Sequence, residues 1–303
     1  MIIEKGNEMA GKNKWFTVLA VFLCLLILTG IGAFKPKESS AGTVQSTSEK
    51  KIKKLGGVKT RMPENSALVF FKSTLGQDIT SYKASKNLDE ALYMLKTGKT
   101  DAIWACDVTA DFLIETNEDL KRAEIQNMSD IQKTEDARFS FGMALKKEKG
   151  EELKTKIDKC LADMKTDGTL DTLIDTYVKN APYFEADEGK KKRFYPDKMK
   201  NVKGNGTIKV GITGAVPPLE LIDEDSEPYG FCVALMEELS SRLGSKVEFV
   251  VIDNETAFTL LQGESIDLLF AYGTGRITTE YKQNFIMTDG YLEMQRYDVV
   301  MMK

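Results

Sequence analysis

Residues 207–303 alternate short apolar runs with stretches in which apolar positions recur at helical spacing. The apolar runs predict three strands: Ile208–Ile212, Lys246–Ile252 and Ile266–Ala271. The helical spacing predicts two helices between them: Phe231–Leu243 and Thr256–Gln262. The middle strand is almost continuously apolar, as expected for a parallel strand covered on both faces. Strands that alternate with helices predict a layered α/β fold.

Residues 58–180 show a second alternation of the same kind. Helices are predicted at four places: Leu88–Thr97, Val108–Ile114, Glu151–Met164 and Leu170–Val178. Strands are predicted at three places: Asp78–Ala84, Asp101–Ala105 and Phe139–Leu145. The apolar run Ala67–Phe71 is compatible with either a strand or a buried helix, because it is too short for its periodicity to decide.

One structural unit recurs in these two regions. Residues 89–103 and residues 255–269 each contain a helix, a glycine turn, an aspartate and a buried strand. Two lobes built on the same unit are typical of a hinged protein that binds a ligand between its lobes.

The N-terminal segment, residues 1–34, ends in a long apolar stretch. Trp15–Phe34 holds no charged residue over 20 positions, and about 20 apolar residues suffice to cross a bilayer as a helix. The segment is therefore predicted to be either an uncleaved membrane anchor or a long signal peptide cut after Ala41. Either alternative places the rest of the chain outside the cytoplasm.

Two polar stretches separate the apolar regions of the chain. Residues 35–57 are rich in Ser, Thr, Lys and Gly, and predict a disordered tether. Residues 181–206 contain the charged run at 190–193, which predicts a solvated linker. The predicted folded regions are therefore residues 58–180 and residues 207–303.

Composition narrows the range of functions. The net charge of −4 disfavours nucleic acid as a partner, because phosphate binding needs a dense basic face. The chain has no histidine, so it lacks the commonest general base and the commonest transition-metal ligand. None of its four cysteines form the close pairs of a zinc or redox site. We predict no enzyme activity, no cofactor and no metal site.

Several motifs resemble one known family of binding proteins. They lie, in the family's order, at three places: Ile208–Asp223, Tyr229–Leu239 and Gly263–Phe270. With them, residues 207–303 resemble the first lobe of extracytoplasmic solute-binding proteins of the amino-acid type, family 3. Residues 88–180 resemble the second lobe of the same family. The lobe order is therefore the reverse of the usual one, as in a permuted domain or a pair of half-domains.

The resemblance implies a fold and a function. The expected fold is the two-lobe α/β type II periplasmic-binding-protein fold, preceded by the N-terminal transmembrane or signal helix. The expected ligand is a small polar molecule, an amino acid or a related organic acid, bound between the lobes. The expected partner is an ABC transporter permease or a membrane sensor.

The resemblance also implies a carboxylate-binding loop after the strand Ile266–Ala271. In the family, backbone N–H groups of this loop and a Thr-x-x-Arg arginine hold the carboxylate of the ligand. The matching positions in this chain are Gly273, Thr274 and Thr278, but Tyr281 stands where the arginine is expected. Arg276 is the candidate replacement, because a guanidinium suits bidentate binding of a carboxylate; the alternative is a surface arginine.

Three further residues complete the predicted ligand site. Glu220 ends the loop that begins at Val216, and Thr74 belongs to a segment that resembles an anion-holding turn of the second lobe. Asp107 follows the strand that presents an aspartate to the ligand's ammonium in the family, although Cys106 is the closest match to that aspartate. The alternative role for Asp107 is a helix N-cap.

Departures from the family pattern favour a second hypothesis. Leu219 replaces the usual phenylalanine, and Asn254 stands where a stacking aromatic is common. These changes, together with Tyr281, suggest a degenerate or sensory pair of domains with a regulatory or interaction role rather than transport.

Overall fold

The structure, a computed structural model, describes residues 51–58, 64–75, 78–125, 139–182, 206–273, 279–295 and 297–303. The predicted anchor or signal segment and most of the predicted tether lie outside these ranges. Within them, no helix combines the length and the apolar character needed to span a bilayer.

The first of two main sheets, sheet A, combines strands from both ends of the described chain. In the described residues its order is β2-β1-β3-β13-β4, with these bounds: β1 (Lys54–Val58), β2 (Ser81–Ser85), β3 (Ala102–Cys106), β4 (Leu120–Arg122) and β13 (Tyr297–Met302). Strands β1, β2 and β3 are parallel, whereas β13 runs antiparallel to both β3 and β4. The helices that cover this sheet in the described part of the chain are α1 (Glu64–Leu75), α2 (Leu88–Lys96) and α3 (Asp107–Thr116). Sheet A and these helices form lobe A.

The second sheet, sheet B, has the order β11-β5-β10-β6-β9, and β12 also pairs with β5. The bounds are β5 (Phe139–Lys146), β6 (Thr207–Ile212), β9 (Lys246–Val251), β10 (Leu268–Gly273), β11 (Phe285–Met287) and β12 (Leu292–Met294). Its helices are α4 (Lys147–Thr166), α5 (Thr169–Ile174) with a π-helical turn at Asp175–Lys179, α6 (Phe231–Leu243), α7 (Ala257–Gln262) and α8 (Thr279–Asn284). A small ribbon of β7 (Leu221–Ile222) and β8 (Pro228–Tyr229) completes lobe B.

Strand β13 shows why sheet A is layered on both faces. Val299 and Met301 pack with residues of α1, whereas Val300 between them packs with residues of α2 and α3. Successive side chains of a strand point to opposite faces, so a strand in the middle of a three-layer lobe must be apolar at consecutive positions. The continuous run in β13 therefore follows from its place inside sheet A.

Aromatic rings fill the centre of lobe B. Phe231, at the start of α6, is fully buried and contacts Phe270 of β10 and Tyr291. The rings of Phe270 and Tyr291 stack at a centroid distance of 5.4 Å. Side chains of α4 and α5 belong to the same core, whereas α7 packs on the other face of sheet B.

The sheets divide the chain differently from the predicted regions 58–180 and 207–303. Strand β5 and helices α4 and α5, which precede residue 180, belong to lobe B, and β13 belongs to lobe A. Followed along the described strands, the chain therefore crosses between the lobes between β4 and β5 and again between β12 and β13. Apolar periodicity identifies a strand but carries no information on which sheet the strand joins. The prediction therefore missed that β5 belongs to lobe B and β13 to lobe A.

The predicted tether of residues 35–57 is also corrected at its C-terminal end, because Lys54–Val58 is a central strand of sheet A. The sequence does not predict this strand, because glycines occupy its inner positions. An added Cβ at Gly56 would approach Thr100 Cγ2 to 3.0 Å, and one at Gly57 would approach Tyr82 Oη to 2.9 Å. Close packing from neighbouring side chains thus takes the place of large apolar residues in β1.

Most of the predicted helices and strands are present. The ambiguous run Ala67–Phe71 is helical and lies within α1, where Ala67 and Phe71 face the core. The predicted helix at Leu170–Val178 is divided, because α5 ends at Ile174 and a π-helical turn follows it.

Because both faces of β13 are buried, we expect a charged side chain in this strand to destabilise lobe A. Val300→Asp would place a carboxylate at a position with 0% exposure, and we expect it to lower the free energy of unfolding by at least about 3 kcal/mol. The same change at Val69 of α1, which is 69% exposed, should cost about 0.5 kcal/mol or less. Urea unfolding of the full-length chain in mild detergent, followed by circular dichroism, measures both. Equal effects of the two substitutions would contradict the placement of β13.

Candidate functional site

A cleft of about 920 Å³ lies between the two lobes. Lobe A lines it with the start of α2 and the C-terminal half of α3. Lobe B lines it with the loop after β6, the β7–β8 ribbon and residues at the end of β9. Lys86 follows β2, Thr213 follows β6 and Asp253 follows β9, so the cleft opens at the carboxyl ends of parallel strands. In α/β sheets this is the edge at which ligands bind.

Direct contacts join the lobes beside the cleft. The buried hydroxyl of Thr109 in α3 donates a hydrogen bond of 2.7 Å to the carbonyl of Pro217 in lobe B. One turn further along α3, Phe112 packs against Leu221 and Tyr229 of the β7–β8 ribbon. One face of α3 therefore docks on lobe B, while Phe112 also lines the cleft.

Glu220 is a buried carboxylate in the wall of the cleft. Its side chain accepts hydrogen bonds from the hydroxyl of Thr213 at 2.9 Å and from the backbone N–H of Thr213 at 3.3 Å. Burial raises the pKa of Glu220 to about 7, while these bonds and the backbone N–H groups of Ala215 and Gly214 act to lower it. The carboxylate thus ties the loop after β6 to the ribbon, and its charge is poorly solvated.

The charged side chains of the cleft are mostly acidic. Among the described residues, those lining it are Lys86, Asp89, Glu115, Glu118, Glu220, Asp223 and Asp253. Asp223 is partly engaged, because one carboxylate oxygen accepts the backbone N–H groups of Asp225 and Glu227. The described wall therefore carries an excess of negative charge.

The predicted carboxylate-binding loop is only partly described. Thr274, Arg276 and Thr278 lie outside the described residues. Gly273 ends β10, opposite Phe141 of β5, and does not line the cleft. Just before it the register of β10 shifts, and Ala271 adopts the left-handed conformation with φ of 49°. Bulges of this kind redirect the end of a strand and often lie next to functional sites.

Asp107 is placed away from the cleft. It is buried at the first position of α3, and its Oδ2 atom accepts a hydrogen bond of 2.7 Å from the backbone N–H of Gln295. Gln295 lies in the crossover between β12 and β13, so Asp107 fixes a connection between the lobes. The N-cap residue of α3 is Cys106 rather than Asp107, and Asp107 does not line the cleft.

Thr74, which was predicted to belong to an anion-holding turn, lies in a helix. Residue 74 lies in the last turn of α1, and the hydroxyl of Ser73 beside it donates to the carbonyl of Phe70 within the same helix. A backbone that continues a helix cannot present the successive free N–H groups that an anion-holding turn requires. The apolar run ahead of Thr74 was too short for its periodicity to predict this helix.

Several residues of the cleft were not predicted as site residues. Phe112, Tyr229 and Asp253 all line it, although they come from different lobes and distant parts of the chain. Asn254, noted in the sequence only as a missing aromatic, also lines the cleft. The position after a predicted parallel strand is the signal that points to Asp253 and Asn254, whereas no sequence pattern singles out Phe112.

No metal site is seen where the structure describes the chain: no three side chains of Cys, Asp or Glu converge there on a point suited to a metal ion. The described cysteines, Cys106, Cys160 and Cys232, are free.

Residues 208–303 match the model of one protein family, the bacterial extracellular solute-binding proteins, family 3. The match begins in β6 and ends at Lys303, so it covers part of lobe B and the strand β13 of lobe A. The predicted resemblance is thereby confirmed for this segment, and the matched family consists of extracytoplasmic binding proteins. Among curated proteins, no sequence matches this chain.

The solved structures that match this chain include three binding proteins. The ligand-binding component of an ABC-type import system from Staphylococcus aureus, with zinc bound, is 10% identical over 83% of this chain and 66% of its own, with a TM-score of 0.39. The L-cystine solute receptor of Neisseria gonorrhoeae is 24% identical over 29% of this chain and 37% of its own, with a TM-score of 0.24. An ancestral arginine-binding protein bound to arginine is 11% identical over 84% of each chain, with a TM-score of 0.39. This chain thus spans less than two thirds of the first two proteins.

We expect Thr109→Val to weaken the contact between the lobes. The change removes the hydroxyl donor and leaves the carbonyl of Pro217 without this bond, which should lower the free energy of unfolding by about 1–2 kcal/mol. Thr116→Val is the matched control in the same helix, because its hydroxyl donates to the carbonyl of Phe112 within α3; its effect should stay below about 0.5 kcal/mol. Urea unfolding compares the two variants, and equal losses would argue against a stabilising contact between lobes.

The pKa of Glu220 predicts a pH-dependent contribution to stability. Between its ordinary value of 4.5 and its folded value of about 7, the folded state retains a proton that the unfolded state has released. Stability from this group therefore falls as pH rises through that window and then levels off. Glu220→Gln has no such proton, so its stability relative to the wild type should rise by roughly 3 kcal/mol between pH 4.5 and 7.5. Urea unfolding across this pH range measures the difference, and a difference independent of pH would contradict the buried carboxylate.

Proposed function

We propose, from the family 3 match of residues 208–303, that this chain is an extracytoplasmic solute-binding protein that captures a small polar ligand between its lobes. The ligand is an amino acid or a related organic acid, and the protein delivers it to an ABC-type uptake system. In this proposal the N-terminal segment is either an uncleaved anchor that holds the protein at the membrane or a signal peptide that is removed, and both place the lobes outside the cytoplasm.

The observation that carries the proposal is the position of the cleft. It is bounded by both lobes and lies at the carboxyl ends of β2, β6 and β9. Its volume of about 920 Å³ falls within the range of small-molecule sites. Followed along the described strands, the chain crosses between the lobes twice, and one of these crossovers, between β12 and β13, spans only residues 295 and 296. Short connections of this kind can act as a hinge about which two lobes close on a ligand.

The proposed roles of the site residues follow from this arrangement. Gly273, Thr274, Arg276 and Thr278 are proposed to hold a carboxylate of the ligand, and the bulge at Ala271 supports this because it redirects the strand that leads to them. Asp107 is proposed to position the crossover at Gln295 instead of contacting the ligand.

One observation favours the alternative of a sensory or degenerate pair of domains. Phe112 packs against Leu221 and Tyr229 across the lobes, and Thr109 bonds to Pro217 beside it. The protein's own side chains thus provide part of the contact that a ligand supplies in a simple hinged binder. A regulatory protein that closes through such contacts would need little or no ligand.

A binding experiment distinguishes the two functions. The full-length chain, purified in mild detergent, is titrated by calorimetry with the common L-amino acids and with small organic acids. Transport predicts saturable binding of at least one member, and Arg276→Gln should weaken that binding about ten-fold or more, since it removes a charge-assisted bond to the carboxylate.

Lys282→Gln serves as the control for the change in net charge, because Lys282 is exposed in α8 close to the same loop. It should bind the ligand as the wild type does. A folded protein that binds nothing in the panel would contradict the transport function and support the sensory alternative. An equal loss of affinity in Arg276→Gln and Lys282→Gln would contradict a specific role of Arg276 in binding the carboxylate.

A further inference from the structure

We infer that the cleft selects a small organic cation, a ligand whose ammonium or guanidinium groups give it a net positive charge, and that Glu220 is the residue that recognises this charge. The inference rests on the proposed function and names the class of ligand that the same cleft takes. It starts from a side chain that the fold buries in the wall of the cleft.

The surroundings of Glu220 favour a cationic partner. Its exposed fraction is 1%, and the residue lines the cleft. The groups that donate hydrogen bonds to it are neutral: the hydroxyl of Thr213 and backbone N–H groups of the loop after β6. In the described part of the chain no lysine or arginine forms an ion pair with it. A buried carboxylate without a cation is costly, so a positively charged group entering the cleft would gain a partner that the protein itself does not supply.

The rest of the described wall repeats the same sign of charge. Five further carboxylates line the cleft against the single ammonium of Lys86. Glu115 lies on α3 of lobe A and Glu118 follows this helix, whereas Asp223 and Asp253 lie on lobe B. A cleft lined by one sign of charge, with walls of low dielectric, concentrates ligands of the opposite sign. Both lobes therefore attract a cation, and closing them about one brings opposite charges together from two sides.

The spacing of the carboxylates favours an organic cation over a metal ion. Calcium and magnesium need several oxygen ligands that converge within about 2.6 Å of one point. In the described residues no three acidic or cysteine side chains meet in this way, and the sequence has no histidine. Carboxylates spread along a cleft of about 920 Å³ suit a longer ligand with its charge at one end or both.

Matched pairs of probes test the charge directly. L-arginine and L-citrulline have nearly the same shape, but only arginine carries a charged side chain, and putrescine and 1,4-butanediol form a second such pair without a carboxylate. L-glutamate is the anionic probe. Calorimetry on the full-length chain in detergent, at low salt and at 0.15 M salt, should show that at least one cation binds ten-fold or more tightly than its neutral partner. Glu220→Gln should reduce this preference about ten-fold.

Two further variants separate charge in the cleft from charge elsewhere. Glu248→Gln makes the same change at an exposed position of β9 outside the cleft and should leave the preference unchanged. The double variant Glu118→Gln with Asp253→Asn alters two exposed residues of the wall, so it tests the inference even if Glu220→Gln fails to fold. It should weaken binding of the cation at low salt more than at 0.15 M salt, because salt screens exposed charges.

Each outcome bears on a separate claim. Citrulline, butanediol or glutamate binding as tightly as the cations would overturn the selection of a cation while leaving a solute-binding function in place. A preference for cations that persists unchanged in Glu220→Gln and in the double variant would overturn the assignment to this cleft. Silence towards all five probes and towards the amino-acid panel would overturn both the inference and the proposed function.

Discussion

The structure depends on the insertion of β13 between β3 and β4. This strand comes from the C-terminal end of the chain, yet it pairs with Ala102–Cys106 on one side and with Leu120–Arg122 on the other. Its side chains enter the cores on both faces of sheet A, so lobe A cannot form its layers without it. Because the strand before it, β12, belongs to sheet B, the same insertion also ties the lobes to each other.

The insertion sets the position of α3, and through α3 the shape of the cleft. Trp104 of β3 stacks on Tyr297 at the start of β13, with ring centroids 4.8 Å apart. Directly after β3, Asp107 accepts the backbone N–H of Gln295 and so holds the crossover against the first turn of α3. The first two turns of α3 then carry Thr109 and Phe112 onto lobe B. One short segment therefore fixes a sheet, a crossover and a contact between lobes.

The sequence was sufficient for the local elements but not for their partners. The helix at α2 was predicted from its single apolar face, and the strands at β6, β9 and β10 from their apolar runs, because both signals depend only on neighbours in the chain. Strand β1 was missed because Gly56 and Gly57 leave it without an apolar signature. The exchange of β5 and β13 was missed because pairing across sheets depends on contacts between residues far apart in sequence.

The same distinction separates the predicted and unpredicted parts of the site. Glu220 was found because it lies in a motif of contiguous residues, and the structure does place it in the cleft. Phe112 was not found, because its significance comes from the ribbon of lobe B that packs against it. Asp107 bonds to the crossover instead of lining the cleft, and a strand position alone does not tell which element will take up the carboxylate.

The contacts between the lobes affect how strongly any ligand can bind. If the lobes were held apart, a ligand would have to supply the free energy of closure, and its apparent affinity would fall in proportion to the closed fraction. The bond from Thr109 to Pro217 and the packing of Phe112 lower that cost, because they are contacts that form only between the lobes. The burial of Glu220 adds no such term, because the groups that donate hydrogen bonds to it, in Thr213, Gly214 and Ala215, all belong to lobe B. The docking of α3 on lobe B therefore determines how much of the free energy of closure a ligand has to supply.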